Sequence, residues 1–123
     1  MKLALAGAGA FGRKHLDAIA NIAGADVVSV VGRTAAATKE AAAEYGIDHW
    51  STDLADTLAI ADIDAVILAT PTQMHAAQAI ACMNAGKHVQ VEIPLADSLA
   101  NAEAVLAKQA ETGLVAMVGH TRR

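Results

Sequence analysis

The chain reads as an α/β protein, a doubly wound parallel sheet of six strands. Three observations predict it. Strand-like and helix-like patterns alternate along all 123 residues, and such alternation builds parallel sheets through crossover helices. Two strand candidates, 65–69 and 114–118, are apolar without interruption, as expected of strands covered by helices on both faces. The first strand also runs straight into Gly7-Ala8-Gly9-Ala10-Phe11-Gly12, a G-x-G-x-x-G turn that opens a helix.

Each element follows in order. Lys2–Ala6 is the first strand. A helix over 10–22 places Phe11, His15, Leu16, Ile19 and Ile22 along one face at helical spacing. Asp26–Val31 is the second strand and ends at Gly32. A helix over 36–45 stops at Gly46. His49-Trp50 is a short third strand, and 54–61 a short helix. Strand four is 65–69. Thr72 caps a helix over 72–85 that Gly86 ends. His88–Glu92 is strand five. Ser98 caps a helix over 99–112 ended by Gly113, and 114–118 is strand six. The strand order expected of such a chain is 3-2-1-4-5-6. One domain, 1–123, accounts for every residue. No linker, internal repeat or low-complexity segment interrupts it, and the residues after strand six leave nothing for a second domain.

Composition excludes several classes of function. A net charge of −4 provides no basic field for nucleic acid or an anionic membrane. Aromatic residues are 2% of the chain, too few for base-stacking platforms. The 31 alanines swell the hydrophobic share to 54% and point to closely packed helices. No apolar run approaches a membrane span. Met1-Lys2 leads directly into the first strand, so no signal peptide is expected. Cys82 is the single cysteine. Within Ala79-Ile80-Ala81-Cys82-Met83 it reads as a buried, reduced, structural thiol. These features predict a cytoplasmic protein. His15, His49 and His88 show no ligand spacing, so no metal is predicted.

The glycine turn is the strongest chemical signal. Gly7 permits the tight turn, Gly9 lets a pyrophosphate approach the backbone, and Gly12 lets the helix pack on the strand. The free amides of the first helical turn, at Ala10 and Phe11, favour an anion. The turn therefore predicts a bound dinucleotide. The end of strand two indicates which one. An NAD site places Asp or Glu there for the ribose diol, whereas this chain has Gly32-Arg33-Thr34. Arg33 is suited to hold a 2′-phosphate bidentately and Thr34 to add a hydroxyl. Asp26 lies too early to serve. The expected cofactor is NADP, and the alternative is a solvated loop arginine.

Five motifs then occur in order: Gly7 to Gly12, Ile63-Asp64-Ala65-Val66, Ala69-Thr70-Pro71-Thr72-Gln73-Met74-His75, Asn84-Ala85-Gly86-Lys87-His88-Val89, and Val91-Glu92-Ile93-Pro94-Leu95-Ala96. Over its whole length the chain resembles the N-terminal Rossmann domain of the glucose–fructose oxidoreductase/inositol dehydrogenase/MocA family. The resemblance implies an oxidoreductase acting on a small molecule. It implies that His75 lines the cofactor cleft, that Thr70, Pro71 and Thr72 run along the nicotinamide ribose, and that Glu92 can bond that ribose. Bland alternatives stand beside these roles: a core histidine, a helix cap and a structural carboxylate. Segments 70–75, 82–98 and 119–123 are most similar to family members that oxidise a cyclic hemiacetal with NADP in aromatic-compound catabolism.

Two departures from the family stand out. Members usually carry Glu-Lys-Pro after strand five, the lysine assisting proton transfer. Here the triplet is Glu92-Ile93-Pro94. Isoleucine moves no proton, although a hemiacetal hydroxyl, being more acidic than an ordinary alcohol, needs less help. His120, just after strand six, is the remaining candidate for proton transfer, with a solvated histidine as the alternative. Arg122 and Arg123 either attract a dicarboxylate substrate or cap the sheet. The family's C-terminal domain, which covers the nicotinamide, contacts substrate and mediates homo-oligomer assembly, is expected to be missing. A sugar or cyclitol dehydrogenase is a second reading that Ile93 argues against, and a non-catalytic dinucleotide-binding module is a third.

Overall fold

The computed structural model describes residues 1–120. The elements are β1 (Lys2–Ala6), α1 (Ala10–Ile19), β2 (Asp26–Val31), α2 (Ala35–Glu44), β3 (His49–Ser51) and α3 (Leu54–Leu58), followed by β4 (Ala65–Leu68), α4 (Thr72–Asn84), β5 (His88–Glu92), α5 (Leu99–Thr112) and β6 (Ala116–Gly119). All neighbouring strands pair in parallel, in the order β3-β2-β1-β4-β5-β6. This is the predicted doubly wound sheet.

Side-chain alternation along the strands builds two cores. Ala4, Ala6, Val66, Leu68, Val89 and Val91 face one side, where Ala79, Cys82 and Met83 of α4 and Val105 of α5 pack on them. Leu3, Leu5, Val30 and Ile67 face the other side, against Leu16 and Ile19 of α1. Small residues at β1 and β4 let the helices come close to the middle of the sheet. Cys82 is fully buried, and desolvation pushes its thiol up to about 12. Among the described residues no helix is long and apolar enough to cross a membrane.

Several expected boundaries move, each for a local reason. α1 ends at Ile19, and its buried face is Gly12, Leu16 and Ile19. Phe11 and Ile22, expected on that face, are exposed. Phe11 stands at the open carboxyl end of the sheet and Ile22 lies beyond the helix. α3 stops at Leu58 because the buried Lys87 ammonium donates to the carbonyls of Ile60 (2.9 Å) and Ala61 (3.3 Å), drawing them into a turn. Pro71, rather than Thr72, occupies the N-cap of α4, and Thr72 is its first helical residue. Ser98 caps α5 as expected, accepting from the Asn101 amide at 3.1 Å. α5 ends at Gly113, whose φ of 69° is the left-handed conformation that a side chain would strain.

β6 departs most from its prediction. It begins at Ala116 rather than 114, because the Gln109 side chain donates to the Leu114 carbonyl and the Val115 amide donates to His88 Nδ1. It lies at the edge, as the expected order has it, but it is not covered on both faces, since Val115 and Met117 are exposed. An apolar run alone does not separate a central strand from an edge strand.

Candidate functional site

The connections leave β1 and β4 in opposite directions, so a crevice opens at their carboxyl ends. Two cavities meet there, sharing Ala69 and Thr70. The first, about 610 Å³, is walled by the glycine turn and the ends of β2 and β4. The second, about 540 Å³, lies between the start of α1, the start of α4 and the end of β5.

Backbone shapes the first cavity. Gly7 has φ +101°, and a Cβ built on it would stand 2.3 Å from the Ala69 carbonyl oxygen. Its amide donates to the Val31 carbonyl at 2.8 Å, tying the turn to β2. A Cβ on Gly12 would stand 1.7 Å from the Gly7 carbonyl oxygen. Both positions exclude a side chain, because helix and strand touch there. Gly9 differs: it is the N-cap of α1, and nothing lies within 4 Å of its Cβ position. What it leaves open is room for a ligand. The first bond of α1 is from the Arg13 amide to the Gly9 carbonyl (3.0 Å). The preceding amides, Ala10 and Phe11 among them, sit at the helix's positive end. Glycine turn and helix end thus form a cradle that fits a pyrophosphate.

The rim of this cavity carries the predicted cation. Arg33 is exposed, lines the cavity and makes no hydrogen bond among the described residues. Arg13, by contrast, pairs with Glu44, a hydrogen bond and charge that hold its guanidinium above the ordinary arginine range. Thr34 precedes α2 and makes no side-chain cap bond, while its carbonyl accepts from the Thr38 hydroxyl at 2.6 Å. Gly32 is needed here too, since Thr38 Oγ1 lies 2.1 Å from its Cβ position. Asp53, which sequence reasoning passed over, lines the cavity but accepts from the Ala55 amide as the α3 cap. Pro71 completes the wall. Thr70 donates to Gln78 Oε1 at 2.6 Å, and Gln78 also lines this cavity.

Side chains shape the second cavity. His75 lines it yet is 1% exposed. Its Nδ1 lies 2.7 Å from the Pro94 carbonyl and its Nε2 2.7 Å from the Thr70 carbonyl. Carbonyls only accept, so the ring donates from whichever nitrogen carries a proton. His75 therefore braces the end of β4 against the segment after β5. Thr72, Glu92 and Ile93 also line the cavity, and Ile93 is exposed. The Lys14 ammonium stands 5.2 Å above the Phe11 ring at the α1 side.

One contact here was not anticipated. Glu92 Oε1 lies 2.6 Å from His15 Nε2, across 77 residues of sequence. Alternation accounts for the meeting. Val89 and Val91 point to the α4 core, so Glu92 points to the opposite face, where α1 lies. That pattern was the signal available in the sequence. Lys14, Asp53 and Gln78 gave none, being ordinary polar positions on helices and turns.

The remaining candidates fall outside the cavities. Ala10 is exposed at the first position of α1, and Gly12 is buried beneath the turn. His120 is exposed just past β6, lines neither cavity, and its amide donates to the Val118 carbonyl at 3.0 Å. It follows Gly119, which pairs with Glu92 across the sheet. Arg122 and Arg123 lie outside the described residues. Among the described residues no cluster of three or more His, Cys, Asp or Glu is arranged to hold a metal.

Comparison with known proteins adds the following. The model of an oxidoreductase family with an NAD-binding Rossmann fold matches residues 1–120. The chain is 68% identical to 4-carboxy-2-hydroxymuconate-6-semialdehyde dehydrogenase of Sphingobium sp. (strain NBRC 103272 / SYK-6), over 100% of this chain and 39% of that protein. It is 33% identical to scyllo-inositol 2-dehydrogenase (NADP(+)) of Bacillus subtilis (strain 168), over 85% of this chain and 32% of the relative. The structure of scyllo-inositol dehydrogenase from Lactobacillus casei with bound NAD(H) and scyllo-inositol superposes with a TM-score of 0.91 at 30% identity, covering 97% of this chain and 36% of that one. The chain thus spans well under half the length of these relatives.

Proposed function

This chain belongs to the glucose–fructose oxidoreductase/inositol dehydrogenase/MocA family of oxidoreductases, and from that premise we propose that residues 1–123 form the cofactor domain of an NADP-dependent dehydrogenase. The observation that carries the reading is Arg33, a guanidinium on the rim of the glycine-turn cavity with no partner among the described residues. No carboxylate ends β2, and Asp53, which lines the same cavity, accepts from the Ala55 amide through Oδ1 as the α3 cap. A 2′-phosphate suits such a rim better than a bare ribose diol does.

The reaction proposed is oxidation of the cyclic hemiacetal of 4-carboxy-2-hydroxymuconate-6-semialdehyde to 2-pyrone-4,6-dicarboxylate, in the 4,5-cleavage of protocatechuate. The 68% identity to a dehydrogenase named for that compound supports it. Bound NADP supplies the hydride acceptor. The chain supplies position. Gly7, Gly9, Ala10, Phe11 and Gly12 form the pyrophosphate turn, and Arg33 and Thr34 hold the 2′-phosphate. Thr70, Thr72, His75 and Glu92 wall the second cavity, assigned to the nicotinamide half, and Pro71, on the wall of the first cavity, lies between Thr70 and Thr72 along the nicotinamide ribose. His120 is the proposed acceptor of the hydroxyl proton. A cytoplasmic location and homo-oligomeric assembly belong to the same proposal.

Ile93 offers the test. As an apolar wall beside the nicotinamide it suits an acidic hemiacetal hydroxyl, which ionises with little help. A lysine there would bring an ammonium into a partly desolvated cleft, at a cost unless paired. In the full-length enzyme, since this domain alone lacks the substrate wall and is expected to show little turnover, Ile93→Lys is therefore expected to lower kcat/KM on the hemiacetal and to gain little on inositols and aldoses. A large gain on any polyol would move the assignment to a cyclitol or sugar dehydrogenase.

A further inference from the structure

We infer that His15 is a positioning residue that acts through Glu92 on the nicotinamide half of the cofactor, an inference that rests on the assignment of the second cavity to that half. Glu92 is the last residue of β5, lines that cavity, and has a side chain 14% exposed. A carboxylate so far removed from water needs a donor to stay in one place. His15 provides it at 2.6 Å, from a side chain itself 21% exposed.

The two oxygens of Glu92 then have different fates. Oε1 is engaged by His15. Oε2 has no hydrogen-bond partner among the described residues and is not shut away from the surface as an unsatisfied buried atom. A carboxylate with one oxygen anchored and the other uncommitted, on a cavity wall, is an acceptor for a ligand hydroxyl. A ribose hydroxyl is the donor that a dinucleotide offers there. The third side of the arrangement is Gly119 on β6, whose Cβ position lies 3.4 Å from Oε1 and 3.3 Å from Gln90 Nε2. A side chain there would meet the carboxylate at ordinary contact distance, so the group that anchors Glu92 is His15.

His15 also sits one turn beyond Gly12, on the helix whose first amides face the pyrophosphate. The pair thus joins the phosphate turn to the end of β5 and fixes the spacing between the two halves of one ligand. Preorganisation of this kind raises affinity by removing alternative side-chain rotamers before binding.

Two ligands separate this role from simple support of α1. NADPH spans both cavities, whereas adenosine 2′,5′-bisphosphate reaches only the first. Both are titrated calorimetrically into the full chain. His15→Leu is expected to weaken NADPH about tenfold, the scale of one hydrogen bond to a charged group, and to leave the bisphosphate unchanged. His15→Gln, which keeps an Nε2 donor, is expected to recover most of the loss. Glu92→Ala, which removes the carboxylate that His15 holds without touching α1, is expected to give the same selective loss even if His15→Leu folds poorly. Equal losses for both ligands, or no loss for NADPH in either His15→Leu or Glu92→Ala, would overturn the inference. Failure of the unaltered chain to bind either ligand would instead overturn the cofactor assignment itself, and this inference with it.

Discussion

The two cavities are built by opposite means. The glycine-turn cavity is a matter of backbone: two positions where a side chain would collide with a carbonyl, one where its space is open, and on the rim an arginine with no partner among the described residues. The second is a matter of side chains held by long-range bonds, His15 to Glu92 and His75 to the carbonyls of Thr70 and Pro94. Backbone shape recognises what every dinucleotide shares, its pyrophosphate. On the proposed assignment, fixed side chains would set the place of one ring and its substrate. The difference predicts that substitutions in the first cavity divide sharply between those that break the fold and those that only block binding. In the second, most substitutions should do some of both.

The largest effects belong to the turn. Gly12→Ala and Gly7→Ala force a Cβ into backbone at 1.7 and 2.3 Å, and each is expected to destabilise the chain by about 3 kcal/mol or more. Gly9→Ala meets nothing within 4 Å. It is expected to leave stability within about 0.5 kcal/mol while abolishing most cofactor binding. Urea denaturation beside a binding titration checks the contrast, and equal destabilisation by the three would erase it.

Next comes His75→Ala. It removes the ring that donates to the backbone between Thr70 and Pro94, and opens a void where a 1% exposed side chain stood. A loss of about 2–4 kcal/mol is expected, together with weaker cofactor binding. A variant of unchanged stability would mean that the His75 bonds do not brace the cavity.

The contrast between the two cavities is also a contrast in what a sequence reveals. The glycine turn is local, six consecutive residues after a strand, and each glycine's task follows from that context. The strand order follows likewise from the alternation of strands and helices, and so does the place of Arg33. The second cavity was legible only by resemblance. His15 looked like a scattered histidine because its partner lies 77 residues away, and pairs of that kind appear only once the sheet has ordered its strands. His75 was expected to face the cofactor, and its commitment to two backbone carbonyls depends on where the segment after β5 returns. The end of α3, set by Lys87 from another element, was hidden for the same reason. The exposure of β6 was hidden differently, because hydrophobicity states what can be buried and leaves open what is.

A smaller effect probes the core beneath both cavities. The Cys82 thiol titrates near 9.0 when unfolded and is pushed up to about 12 by burial. The folded state therefore keeps a proton that the unfolded state loses. The associated stability is fully present below pH 9 and declines as pH rises from 9 towards 12. At pH 10 the loss is expected to be on the order of 1 kcal/mol. Cys82→Ala should remove that part of the alkaline slope in urea titrations at pH 8 and 10, and the native thiol should resist disulfide reagents at pH 8. A slope unchanged in the alanine variant would show that other groups cause it.

The central claim is that the glycine-turn cavity is built for a 2′-phosphorylated dinucleotide. Calorimetric titration of NADP and NAD into the unaltered chain and into Arg33→Ala tests it most directly. A charge-assisted contact of about 1.5–3 kcal/mol corresponds to about one to two decades of affinity. The account predicts that NADP binds more tightly than NAD by that factor, and that Arg33→Ala lowers NADP affinity to the level of NAD while leaving NAD unchanged. Equal affinities in the unaltered chain, or NADP binding indifferent to Arg33, would contradict it.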